Sequence, residues 1–263
     1  MANYNQIKII YSFFTTQLLR SKKTRFFILF SLIPLIVFLL INGLKLIYND
    51  NLLAGSLFFK NGGMPFFFQF YIQLVSLLFG AAVLSDEIDN KTLIYLNTSP
   101  VSKLSILTGK LASYLSVSFL CFAAGSVILY ILTHFQGILT ATGLLKLLQL
   151  EFAGLIAITA YSSLFLLFGV SLKKSTIIGL VYIFGWETIA QILPGTAQKL
   201  TIFFYLNSLT PIPIPREKGI LGISVVQPGF TEALIILVTV SLIFVAASVY
   251  MFRKKEYLLA DHT

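Results

Sequence analysis

Long apolar runs alternate along the chain with short polar stretches, and the basic residues gather where the runs end. A helix needs about 20 apolar residues to cross a hydrocarbon core of about 30 Å. Six runs meet that length: 26–48, 65–84, 111–132, 147–172, 175–193 and 232–252. They predict an all-α membrane protein of six transmembrane helices, a single transmembrane domain over 1–263 with no room for a separate soluble domain. Before the first run, residues 5–20 place Ile10, Phe13, Phe14, Gln17 and Leu18 at helical spacing, with Lys8 and Arg20 able to reach headgroups. This predicts an amphipathic interfacial helix within 1–25. Pro34 predicts a kink in the first span.

The connections differ in character. Residues 49–64 read as a polar, glycine-containing loop, 133–146 as a short linker, and Lys173 with Lys174 as a tight turn. Residues 194–231 are too apolar for a solvated loop, and TAQKLTIFFYLNSL within them predicts a re-entrant or external helix on the outer side. Pro211, Pro213 and Pro215 then predict an extended strap. No internal repeat is visible.

Composition agrees with the pattern: 57% of residues are hydrophobic, 11% are charged and the mean hydropathy is +0.89, against roughly 25% charged residues in an ordinary globular domain. The net charge of +9 could suggest nucleic acid, but it is distributed by membrane side. With the amino terminus inside, thirteen lysines and arginines fall on inner segments and six on outer ones, as the positive-inside rule requires. Both termini are therefore expected in the cytoplasm and the chain in the cytoplasmic (inner) membrane. The first run is too long for a secretory signal, so its helix is expected to be retained. Cys121, the single cysteine, lies in an apolar run and excludes an intrachain disulfide.

No motif carries catalysis. The phosphate-binding loop pattern is absent, since Leu104 stands where its first glycine should be and Leu111 follows Lys110. His134 and His262 lack carboxylates at ligand spacing, so no metal and no cofactor is expected in this chain. Three carboxylates near or within spans are candidates for an outer gate or an intramembrane polar site: Glu187, Glu151 and Glu232. The plainer expectation for Glu151 and Glu232 is that they reach headgroups. For Glu187, a structural role beside the Pro194 break stands equal with a functional one. Phe66 to Phe68, Phe203 and Phe204 are expected to face lipid, with an apolar conduit as the alternative.

Residues 85–110 carry more shape. Asp86, Glu87 and Asp89 close the second span, and Thr92, Leu93 and Leu96 then suggest a short amphipathic helix ended by Ser99 and Pro100. Ser102 can cap a second helix that leads through Leu104, Ile106 and Leu107 into the third span. A helix, a proline break and a helix suit a groove on another protein; the plain alternative is a solvated connector.

This loop resembles the one after the second helix in permease subunits of type-2 ATP-binding-cassette (ABC) exporters, through Glu87, Thr92, Leu93, Leu96, Pro100, Val101, Ser102, Ile106, Leu107, Gly109 and Lys110. The interfacial helix, six spans, long outer segment and basic tail FRKKEY are similar to that family as well. The resemblance implies a dimeric pore of two permease halves, homodimeric or heterodimeric, driven by cytosolic ATPase subunits that carry ATP and Mg²⁺ on separate chains. It also implies an ATPase-coupling role for the loop, with Glu87 where permease meets ATPase. The alternatives are an ion-gradient-driven secondary transporter using Glu187, or a membrane anchor or assembly factor that moves nothing.

Overall fold

The computed structural model describes residues 4–48, 51, 54–89, 103–134, 140–172, 174–193, 195–212, 214 and 226–254. Among the described residues all regular structure is helical and no strand occurs. In chain order the α-helices are α1 (Tyr4–Leu19), α2 (Lys22–Ser31), α3 (Ile33–Ile47), α4 (Gly55–Phe58), α5 (Ile72–Asp89) and α6 (Lys103–Thr133). They continue as α7 (Ala141–Ser171), α8 (Ser175–Val181), α9 (Thr188–Ile192), α10 (Ile202–Leu209) and α11 (Phe230–Lys254). Three π turns, Phe59–Gly63, Phe66–Tyr71 and Tyr182–Glu187, and one 3-10 turn, Gly195–Leu200, lie between them.

Among the described residues five stretches are long and apolar enough to cross a membrane: Lys22–Ile47, Gly55–Ala81, Ser105–Thr133, Ala141–Ser171 and Phe230–Phe252. They correspond to the first four and the last of the expected spans. The expected fifth, 175–193, is an unbroken helical path through α8, a π turn and α9. At 1.5 Å per residue it reaches only about 27 Å, and it is not one of the five.

The second span starts earlier than the sequence suggests. Residues 55–63 are helical rather than a loop, because Gly55 lies against the Thr133 backbone and Gly63 against Leu129 at the end of α6. Tertiary packing there overrides the low helix propensity of Lys60-Asn61-Gly62-Gly63. Pro65 falls between two π turns, whose i→i+5 register tolerates its missing N–H. In the first span the interruption expected at Pro34 comes at Leu32, between α2 and α3, with Pro34 in the first turn of α3 where its N–H is not needed.

The core is the α5–α7 pair. Gly80 lies against Ser162, where a Cβ would sit 3.0 Å from the carbonyl oxygen, and Gly169 lies against Ala81, where a Cβ would sit 2.7 Å from its oxygen. Small residues at both crossings let the two backbones approach closely, the usual device where lipid supplies no hydrophobic drive between helices. Ala153, Ala157 and Ala160, on the opposite side of α7, are buried as well. Helix α6 flanks α5, α11 lies along α7, and α10 is held between α7 and α11. The apolar window of α7 is 72% buried, against 17% for Lys22–Ile47 and for α11, so these last two form the periphery. The phenylalanines correct the lipid-facing expectation: Phe67, Phe68, Phe203 and Phe204 are all buried. Phe67 and Phe68 meet the Phe122 ring edge-on at 5.6 and 5.9 Å.

Candidate functional site

Polar side chains in this bundle concentrate around Glu187. The π turn Tyr182–Glu187 adds a residue to its turn, and it carries Glu187 inward, 1% exposed, while leaving neighbouring Trp186 40% exposed. Three donors converge on one oxygen, Oε1: the Tyr161 hydroxyl of α7 at 3.2 Å, the Tyr182 hydroxyl at 3.1 Å and the Ile202 backbone N–H at 3.2 Å. Gln73 of α5 in turn donates to the Tyr161 hydroxyl at 3.0 Å, so a chain of hydrogen bonds runs from α5 through α7 to the π turn. Chains of this kind polarise each other in a low-dielectric interior.

Ile202 is the first residue of α10, so the Glu187 carboxylate sits at that helix's amino-terminal end, where free N–H groups and the dipole favour an anion. Thr201 caps the same end by accepting from the Phe204 N–H at 3.3 Å. The link between α9 and α10 is tied too: Gln198 donates to the carbonyls of Gln191 and Leu193, and Gln191 donates to the Glu187 carbonyl. The second carboxylate oxygen, Oε2, is buried without a hydrogen-bond partner among the described residues. Through the Ile202 N–H bond Glu187 caps the amino-terminal end of α10.

The other two carboxylates part company. Glu151 lies ten residues into α7, about 15 Å along the axis. There it accepts from the Ser126 hydroxyl of α6 at 2.7 Å, so it serves a helix–helix contact rather than reaching past the helix end to headgroups. Glu232 is exposed in the first turn of α11, where a negative charge complements the helix dipole.

At the other end of the bundle α1 lies along the start of α6. Gly109 faces Ile10, and a Cβ there would come 2.8 Å from Ile10 Cγ2 and 3.2 Å from the Ile7 carbonyl oxygen. The Lys110 ammonium stands 4.7 Å from the centroid of the Phe14 ring, and Lys110 is only 2% exposed. The Ser113 hydroxyl donates to the Tyr11 carbonyl at 3.0 Å, and the Tyr11 hydroxyl to Ser116 Oγ at 3.2 Å. Gly109 and Lys110 therefore turn toward α1. The inward face of α1 is Ile10, Phe14 and Leu18, while Phe13, expected on that face, is 65% exposed. Asp86 and Glu87 lie on the last turn of α5. Thr92, Leu93, Leu96, Pro100, Val101 and Ser102 fall outside the described residues.

A sequence model of the ABC-2 family transporter proteins matches residues 14–186, well over half of the chain. The chain belongs to the ABC-2 transporter family. No curated protein matches it. As an ABC-2 chain with five membrane-crossing candidates it is a multi-pass membrane permease component of an ABC transporter. The matched region contains α5, α6 and α7 of the ABC-2 chain, and ends one residue before Glu187 and well before α10, whose amino terminus that carboxylate caps.

Sequence reasoning singled out Glu187 but missed Gln73, Tyr161, Tyr182 and Ser126. The available signal was the rarity of such groups in apolar runs: a glutamine or tyrosine hydroxyl in a span needs a partner, and Glu187 was the evident acceptor.

Proposed function

We propose that the chain is one permease half of an exporter in the cytoplasmic membrane, with both termini inside. It pairs with an identical or related half and is driven by separate ATPase subunits, which bind ATP and Mg²⁺ and grip the 85–110 loop. In this reading the path through α8, the π turn and α9 is a sixth crossing, α10 is the re-entrant helix of the outer side, and Glu187 holds the outer gate.

The observation that carries the reading is the build of α6. It is one helix of 31 residues starting at Lys103, within the second half of the loop, and at 1.5 Å per residue it is about 46 Å long. Helix α1 is fastened along its first turns through Gly109, Lys110 and Ser113. A displacement delivered at the loop would move α1 and the start of α6 together and carry through the membrane as a rigid rod. Use of Glu187 for ion coupling is less favoured, because its ligating oxygen already takes three fixed protein donors.

Glu87→Lys tests the proposal. In reconstituted complexes the variant is expected to stay in the membrane and permit basal ATP hydrolysis, while substrate transport per ATP falls at least tenfold. Transport at the wild-type ratio would overturn the coupling role.

A further inference from the structure

We propose that the groove between α10 and α11 binds one anionic phospholipid, its acyl chain against α11 and its phosphate on Lys199. The groove encloses about 280 Å³. Its floor is Ile236, Leu237, Val240 and Phe244, and Leu200, Ile202 and Tyr205 form much of the facing wall. From Ile236 to Phe244 the helix rises about 12 Å, room for a stretch of extended acyl chain. A polar solute would lose its hydration on this surface with nothing to replace it.

The polar groups at the rim specify the head. Two hydroxyls are already committed, Tyr182 to Glu187 and Thr201 to the Gln198 carbonyl. Lys199 is exposed and has neither a hydrogen bond nor an ion pair among the described residues, and the Tyr205 hydroxyl likewise has no hydrogen-bond partner there. One cation and one hydroxyl donor suit a phosphate monoanion. A zwitterionic head would bring its own cation beside Lys199, so charge complementarity favours a net anionic lipid. Helix α11 is a membrane-crossing candidate and exposes Ile235, Val238, Leu242 and Ile243, which makes a bilayer lipid the neighbouring molecule. The inference rests on residence in a membrane and is independent of coupling to an ATPase.

The test is native mass spectrometry of the purified chain in detergent with equimolar phosphatidylglycerol and phosphatidylcholine. Wild type is expected to retain one phosphatidylglycerol per chain at least fivefold over phosphatidylcholine. Lys199→Gln should bring that ratio to unity, and Val240→Trp, which fills the groove but keeps the charge, should abolish the retained lipid. Ile235→Trp, on the exposed face outside the groove, should behave as wild type, with helix content by circular dichroism verifying each fold. Equal retention of the two lipids by wild type would overturn the proposal, and so would an unchanged preference in Lys199→Gln or Val240→Trp. Disulfide-linked dimers of Val240→Cys would overturn it as well, by assigning the groove to contact between two copies.

Discussion

At the α10 end of the bundle three donors from separate elements converge on one carboxylate oxygen, whereas at the α1 end two helices meet through a glycine, a serine and a lysine held over a phenylalanine ring. The first arrangement has one good geometry, since hydrogen bonds weaken steeply once their angles open. The second spreads its hold over surface contact along both helices, with hydrogen bonds at Ser113 and Tyr11 added to it. The two ends thus differ in how they are held: the α10 end by one convergent polar centre, and the α1 seam by several smaller contacts that keep α1 and the start of α6 moving as a unit. That division suits a machine pushed from one side, and it makes the two ends separable by mutation.

The largest expected effect is at the rigid end. An orphaned buried donor costs about 1–3 kcal/mol, and Glu187→Leu strands three at once, so a loss of about 3 kcal/mol or more is expected, measured by thermal unfolding in detergent. Glu187→Gln keeps an acceptor oxygen and should lose less than half as much. If both were neutral for stability and for transport, the capping role would be wrong. Next is Gly109→Val, which forces α1 away from α6. Overpacking of this kind costs about 1–3 kcal/mol, yet its sharper signature should be a reduced ratio of transport to ATP hydrolysis in reconstituted complexes. A stability loss equal to that of Glu187→Leu, with the ratio intact, would break the contrast between the two ends.

Two smaller variants sharpen it. Ser126→Ala removes the donor to Glu151 and should lower stability by about 1 kcal/mol without touching the coupling ratio, because the α6–α7 contact it weakens lies away from the α1 seam. Ser113→Ala deletes a hydroxyl whose one proton is shared between the Tyr11 carbonyl of α1 and the Gly109 carbonyl of its own helix. Bonds of that kind between membrane helices average about 0.6 kcal/mol, so the expected change is at the edge of detection in unfolding. It would be visible as faster amide exchange along α1.

Run length and charge placement made the helical architecture legible, because crossing a hydrocarbon core imposes one rule on every segment. Five of the six expected spans reappear as long apolar helices. The starts of those helices were less legible. Residues 55–63 carry loop composition and become helical through Gly55 and Gly63 against the end of α6, a contact between residues some seventy positions apart. Glu187 stood out as a carboxylate inside an apolar run, but its partners did not, since Gln73, Tyr161 and the Ile202 N–H come from three other parts of the chain. Glu151 looked like the edge of a span because the apolar run begins near it; the helix itself starts ten residues earlier, at Ala141.

Trp186 gives the π turn a built-in optical probe. It is the chain's single indole, partly exposed and adjacent in sequence to Glu187, so all tryptophan emission from the chain originates beside the capped helix. Any rearrangement that admits water there will shift that emission to longer wavelength without a label.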